Sequence, residues 1–331
     1  MTNLPGNGPT YDVVCVGNAI VDVLAEVDES FVTNLGVAKG SMRLVEADVA
    51  SAIYQTLTDT LEASGGAAAN TAFGVARLGG SAAFVGRVAR DELGETFTND
   101  IQKSGVAYNL DPSVGGPPTA HCMILVTPDG ERTMNTYLGA SQNLVTADID
   151  GTLIAEAAVT YLEGYLWDPP HAKDAFRVAM EAARAARRKV AFSLSDAFCV
   201  DRYRDEFAEL LAGPVDIVFG NDSEALSMML TDDLDAAIDE LGRLCEIAVI
   251  TRGPEGSSIV TNGERVDVPA VPVTKVVDTT GAGDAYAAGF LYGLTHGYSP
   301  YQAGSLGAAC ASETIAHLGA RAKRDLRELL V

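Results

Sequence analysis

The stretch Val276-Val277-Asp278-Thr279-Thr280-Gly281-Ala282-Gly283-Asp284-Ala285-Tyr286 decides how this chain is read. Segment 270–277, rich in valine and proline, predicts a strand with its connection, and the small apolar residues of 285–294 predict a buried helix. A glycine-rich turn thus opens onto a helix N-terminus. There, unpaired backbone N–H groups and the positive end of the macrodipole favour an anion. Gly281 and Gly283 let the backbone approach a ligand, because no Cβ intervenes. Asp284 does not suit a plain anion site. It either caps the helix or acts as a base. In the second reading the turn amides stabilise a transferred phosphoryl group while Asp284 orients the attacking hydroxyl and accepts its proton. An unperturbed Asp is ionised at neutral pH, so it needs no tuning for that task.

Working outward, strands at 159–162, 190–194, 217–219 and 247–251 alternate with helical segments, which predicts a parallel sheet covered on both faces. Nearer the start, 11–16 is an apolar run ending at Gly17 and predicts a buried first strand. Asn18 and Asp22 follow it, where open α/β sheets bind their ligands. Segment 21–27 alternates apolar and polar residues, like a half-exposed antiparallel strand. Segment 47–61 has helical spacing, and Gly65-Gly66 then leads into an Ala-rich helix with Asn70 near its first turn. That diglycine is a hinge packed against a ligand, or an ordinary tight turn. A further strand is expected at 82–86 and a helix at 91–105. Strands 119–126 and 132–137 form a hairpin across Thr127-Pro128-Asp129-Gly130-Glu131. With 21–27 and 40–45 the hairpin builds a small, mainly antiparallel sheet. The basic helix end at 182–189 reads as a solvated face.

A chain of 331 residues, 47% hydrophobic and 21% charged, can bury a substantial core and is not a disordered sequence. Its formal net charge of −22 argues against a nucleic-acid partner, which would want a basic stripe. Any anionic substrate must therefore be met by local Arg or Lys, amides or a metal. The five cysteines are scattered, odd in number and without a CxxC pair, as expected of reduced buried thiols rather than a disulfide frame or zinc site. No apolar run reaches the roughly 18 residues of a membrane span. Segment 1–10 is polar and lacks the pattern of a signal peptide. A cytoplasmic protein is expected. The sequence contains no GxxxxGK[ST], no GxGxxG after the first strand and no HExxH, which sets aside P-loop, dinucleotide-binding and zinc-protease readings.

What remains resembles the PfkB or ribokinase family of small-molecule kinases over nearly the whole chain. The family's second signature corresponds to Asp278-Thr279-Thr280-Gly281-Ala282-Gly283-Asp284. The first corresponds to Gly65-Gly66 through Asn70, continuing to Leu78-Gly79-Gly80 and Gly86-Arg87-Val88-Ala89-Arg90-Asp91-Glu92-Leu93-Gly94. Asn221-Asp222-Ser223-Glu224 resembles the family's NxxE element. The resemblance implies a ribokinase-like α/β/α sandwich with a mainly parallel central sheet and a small β-sheet lid. It divides the chain into a large domain (1–17, 47–107 and 139–331) and a lid (18–46 and 108–138).

It also implies roles. Asp284 would be the catalytic base, with the amides of Ala282, Gly283 and Asp284, behind Gly281, as the anion hole. Asn221 and Glu224 would arrange Mg²⁺ through water, as suits a cation that dehydrates reluctantly. Thr251, Arg252, Gly253 and Asp278 would attend the phosphates of ATP. Arg132 is a candidate to swing over the transferred phosphate, or else an exposed hairpin charge. Asn18, Asp22, Gly65, Gly66 and Asn70 would hold sugar hydroxyls, a carboxylate such as Asp22 being able to accept two hydrogen bonds from a diol. Loops around such an anion hole expose carbonyls that hold K⁺ in this family, so a monovalent cation is an optional cofactor.

Within the family the chain is most similar to adenosine kinases, through Gly17-Asn18-Ala19-Ile20-Val21-Asp22, Ser193-Leu194-Ser195-Asp196-Ala197-Phe198 and Asp216-Ile217-Val218-Phe219-Gly220-Asn221. Met42, Tyr165, Trp167 and Phe198 would supply a flat apolar slot for a purine, or else belong to the core. Met42 stands where eukaryotic adenosine kinases carry a glutamine that contacts the substrate. The expected activity is phosphorylation of a nucleoside 5′-hydroxyl, adenosine first. A ribokinase- or fructokinase-like sugar kinase and a non-catalytic nucleoside- or sugar-binding protein are the alternatives. The small sheet's exposed edge is compatible with a monomer or a homodimer.

Overall fold

The computed structural model describes residues 9–330, so residues 1–8 of the expected polar start lie outside the described residues. The first strands in chain order are β1 (Tyr11–Val16), β2 (Ile20–Glu26), β3 (Met42–Leu44), β4 (Leu61–Gly65), β5 (Ala82–Val85), β6 (Ala120–Val126) and β7 (Arg132–Tyr137). Six more follow: β8 (Ala157–Glu163), β9 (Lys189–Ser193), β10 (Ile217–Asn221), β11 (Ile247–Thr251), β12 (Ser257–Thr261) and β13 (Glu264–Val268). They form an eight-stranded sheet, ordered β13-β12-β11-β10-β9-β8-β1-β5, and a five-stranded sheet, ordered β3-β7-β6-β2-β4.

The large sheet is parallel from β11 to β5, and β12 and β13 turn back antiparallel at one edge. Its alternate residues face opposite layers. Val14 and Val16 pack with Trp167, Phe176, Phe192 and Phe207 on one face. Val13 and Cys15 pack with Phe84, Phe97, Phe219 and Phe290 on the other. Burial on both faces is what a parallel sheet between helical layers requires. All five cysteines are buried and free.

The small sheet is not mainly antiparallel as expected, since β2 pairs parallel with β6 and β3 parallel with β7. Two further expectations are corrected here. The helix expected over 47–61 stops at Tyr54, and Leu61–Gly65 is a strand paired antiparallel with β2. This stretch therefore joins the small sheet, not the large domain to which 47–107 was expected to belong. The pairing partner explains it: the stretch Leu-Glu-Ala-Ser-Gly has little strand preference of its own, and the ladder to β2 decides. Second, segment 270–277 forms no strand. Pro269 and Pro272 lack ladder donors, and the sheet edge is taken instead by β12 and β13. Val271, Val276 and Val277 are left exposed.

Candidate active site

The strands β1, β8, β9, β10 and β11 all run in one direction, so their C-terminal ends deliver Asn18, Glu163, Ser195, Asn221 and Thr251 to one edge of the sheet. Beside that edge the helix Ala282–Thr295 begins at Gly281, whose φ of +74° suits glycine, and any Cβ there would collide with the Ala320 carbonyl. The amide of Ala282 closes the turn on the Thr279 carbonyl at 3.2 Å. Among the described residues, the amides of Gly283 and Asp284 have no such acceptor. Beyond Gly283 lies open space, as an anion approaching those two amides needs.

Asp284 has a buried neighbourhood. Asn70 Nδ2 donates to its Oδ2 at 3.1 Å, and Thr71 Oγ1 donates to its backbone carbonyl. Burial pushes its carboxyl up to about 7, reinforced by Glu163 and Asp22 and opposed by Asn70 and Arg321. The expected ready-ionised base is thereby corrected: without ligands Asp284 is poised near neutrality, because a desolvated carboxylate is costly. Asp22 on β2 is raised to about 6, chiefly by burial, and Arg321 and Arg132 oppose the rise. A Cβ on Gly65 would run into the Asp22 carboxyl, and one on Gly66 (φ +98°) into the Asn18 carbonyl. The diglycine is thus a close-packing device as well as the entry to the helix Ala67–Arg77.

Glu163, at the end of β8, is fully buried and went unnoticed in the sequence. Its Oε1 accepts from Asn18 N (2.7 Å) and Nδ2 (2.6 Å), and its Oε2 from Ala68 N (2.7 Å). Ser141 Oγ donates to Asn18 Oδ1 at 2.8 Å. Both ends of the Asn18 amide are therefore fixed. An acidic residue closing an otherwise apolar strand was the available signal. Arg321, also missed, has none: it lies in an irregular segment near the end of the chain.

Asn221 caps the helix Asp222–Met229 in a reciprocal capping box with Glu224. Asn221 Nδ2 donates to Glu224 Oε1 at 2.6 Å, and Glu224 Oε2 accepts from Asn221 N at 3.1 Å. Burial raises the Glu224 carboxyl to about 7, with Asp196 and Asp222 adding to it. Among the described residues this buried carboxylate at a cavity wall has no cationic partner, which fits an adjacent cation. Among the described residues no group of three His, Cys, Asp or Glu forms a cage. The pair therefore fits a Mg²⁺ that keeps its waters and takes phosphate oxygens, as that ion prefers.

Three adjoining cavities run along this edge. The middle one, about 680 Å³, is lined by Asp22, Gly66, Asn70, Asn221, Glu224, Thr251, Arg252, Gly253 and Gly281 to Asp284. It brings together most of the residues singled out in the sequence. A second, about 550 Å³, shares Ile20, Ala67 and Tyr165 with it and adds Asn18, Met42, Phe198 and Glu163. A third, about 660 Å³, opens beyond the Gly283 turn and is walled by Val271, Val273, Val276, Ala308, Ala311 and Ile315. The valines that were expected to form a strand thus line an apolar slot.

Two residues stand elsewhere. Trp167 is core, packed among Phe176, Phe192 and Phe207, and cannot wall a purine slot. Arg132 is not an exposed hairpin charge; its side chain is buried against the anion turn. It is paired with buried Asp278, and its Nη2 donates to Thr280 Oγ1 at 2.6 Å. Asp278 also accepts from the amides of Thr280 (2.9 Å) and Gly319 (2.7 Å), so it braces the turn. Arg252, which borders the middle cavity, also directs Nη2 toward the Glu255 carbonyl (3.5 Å) and Asp267 (3.4 Å).

The pfkB family carbohydrate kinase model matches residues 12–326. An adenosine kinase of Sinorhizobium meliloti has a similar structure, with 51% identity, a TM-score of 0.89 and coverage of 96% of this chain and 98% of that one. A probable sugar kinase of Rhizobium etli CFN 42 is similar at 47% identity and TM-score 0.90, covering 97% and 98%. The adenosine kinase of Saccharomyces cerevisiae is 28% identical over 313 residues, 87% of this chain and 90% of its own length. The chain belongs to the pfkB family of carbohydrate kinases and is an ATP-dependent kinase with the ribokinase-like fold.

Proposed function

We propose that this pfkB-family kinase transfers the γ-phosphoryl group of ATP to the 5′-hydroxyl of a nucleoside, adenosine foremost. The observation that carries the reading is the order of the three cavities. An apolar slot for the donor's base leads to the Gly283–Asp284 amides and the Asp284 carboxyl. From there the cavity continues past Asp22 and Asn70 to a second apolar space between Met42, Tyr165 and Phe198. A free sugar would leave that last space empty. A nucleoside fills it with its base. The 51% identity to an adenosine kinase supports the same choice.

In this reading Asp22 and Asn18 hold the ribose diol, and Asp284 accepts the 5′-hydroxyl proton as phosphorus–oxygen bond formation proceeds. The amides of Gly283 and Asp284 stabilise the charge on the transferred group. Asn221 and Glu224 hold the hydrated Mg²⁺, which when bound neutralises phosphate charge. Thr251 and Gly253 border the triphosphate. The Arg132–Asp278 pair couples the small sheet to the turn, and closure of that sheet excludes water before transfer. A sugar-kinase reading is favoured by the Rhizobium etli neighbour and by Met42, which offers a purine no donor and only a weak sulfur acceptor.

Consumption of ATP against adenosine, other nucleosides, ribose and fructose separates the two. Turnover with adenosine and not with free sugars is the expected result. Turnover with a sugar alone would replace this reading. Tight nucleoside binding without any turnover would point to a binding protein.

A further inference from the structure

We propose that Arg321 is a positioning residue for the phosphoryl transfer, fixing the Asn70 amide so that its Nδ2, and not its Oδ1, faces Asp284. The inference rests on the reading of Asp284 as the base. Its physical core is donor–acceptor logic. A guanidinium can only donate. Arg321 Nε lies 2.9 Å from Asn70 Oδ1, so that end of the amide must be the oxygen. Nδ2 is thereby directed at Asp284 Oδ2, 3.1 Å away, where it stabilises the ionised carboxyl. A flipped amide would present oxygen to oxygen, tolerable only if Asp284 were protonated and useless as a base.

The guanidinium is itself held. Its Nη1 donates to Ser64 Oγ (2.8 Å) and to Asp100 Oδ2 (3.1 Å), while Ser64 N and Oγ both donate to the same Asp100 oxygen. The Arg321 guanidinium carbon sits 4.5 Å from the Phe73 ring centre, so the plane is pinned by stacking. Three elements therefore meet on one side chain: β4 through Ser64, the helix Glu92–Lys103 through Asp100, and the helix Ala67–Arg77 through Asn70 and Phe73. Because β4 runs into Gly65, the first glycine of the pair, Arg321 registers the small sheet's edge strand and the base's partner together. The other groups facing Asp284 are Asp22 on β2, Glu163 and Tyr161 on β8, Cys15 on β1, and Tyr165. None of them fixes the orientation of the amide.

The test is the pH dependence of kcat/KM for adenosine in Arg321→Met and Arg321→Lys, alone and combined with Asn70→Ala. Arg321→Met should move the acidic limb up by about one pH unit, since an Asn70 amide no longer held in place stops donating to the ionised Asp284 carboxyl. Activity below the limb should fall about tenfold. Arg321→Lys should recover part of the shift. In the Asn70→Ala background, Arg321→Met should change the rate less than about twofold, as expected when two residues act through one contact. An unmoved limb would overturn the proposal, as would a loss that persists undiminished without Asn70. Carboxyl ¹³C NMR titration of ligand-free protein, with Asp284→Asn to assign the signal, reads the same shift without any acceptor. An absence of turnover would then refute the base reading, while an unshifted Asp284 signal in Arg321→Met would refute the role of Arg321.

Discussion

The reaction and acceptor ends of the site, in the middle and second of the adjoining cavities, are built differently. At the reaction end, Gly281 to Asp284 stand on a helix N-terminus, with Asp284 held by Asn70 and the turn braced by Asp278. At the acceptor end, Phe198 is 80% exposed and Met42 52% exposed, and both come from segments remote in sequence. Backbone amides and paired polar groups tolerate little change, whereas exposed apolar side chains can be exchanged without disturbing the fold. In the proposed reading the chemistry is thus centred on one short stretch. The choice of acceptor is then spread over several loops, which is how one fold can serve different substrates.

Replacing Asp284 should separate the ends most sharply. Asp284→Asn is expected to lower kcat by about 10²–10⁴, the usual worth of a general base, while adenosine affinity by calorimetry changes little. Weakened binding that accounts for the whole loss would merge the two ends. Asp22→Ala comes next. Losing a charged acceptor of roughly 1.5–3 kcal/mol should raise KM for adenosine about 10- to 100-fold with a smaller change in kcat. An unchanged KM would remove Asp22 from the acceptor site.

The pH dependence should follow Asp284. Its carboxyl is raised to about 7 and must be ionised to accept a proton, so kcat/KM should climb with pH and level off above about 7, being about tenfold lower one unit below the inflection. Stability should move the opposite way. A carboxyl whose folded value lies above its unfolded value near 4 favours the folded state at low pH and loses that contribution as pH rises through about 7. The melting temperature of Asp284→Asn should therefore exceed that of the parent by more at pH 8 than at pH 5. An equal difference at both pH values would mean that Asp284 is not destabilised by burial. The smallest effect belongs to Phe198→Ala, about 1 kcal/mol or roughly fivefold in KM for adenosine, with kcat for transfer unaltered.

The same contrast explains what was legible in the chain. Strands β1, β8, β10 and β11 announce themselves as short apolar runs because both faces are buried. The anion turn is legible because its glycines and Asp284 are contiguous. Strand β4 was not, since the single large apolar residue of its short Leu-Glu-Ala-Ser-Gly alternation, Leu61, is exposed while Ser64 is buried, and the strand takes its conformation from β2. Segment 270–277 misled for the converse reason: its valines suit a strand but instead wall a cavity. Glu163 and Arg321 pair with residues more than 90 positions away, such as Ala68 and Asn70; Glu163 left only an acidic residue at the end of an apolar strand as a sign, and Arg321 left none.

Competition in one mixture tests the division most directly. Adenosine, ribose and fructose at equal concentration are incubated with the kinase, ATP and Mg²⁺, and the products are identified by ³¹P NMR. The account predicts adenosine 5′-monophosphate as the dominant phosphorylated acceptor. Accumulation of ribose or fructose phosphate with adenosine left unreacted would contradict it.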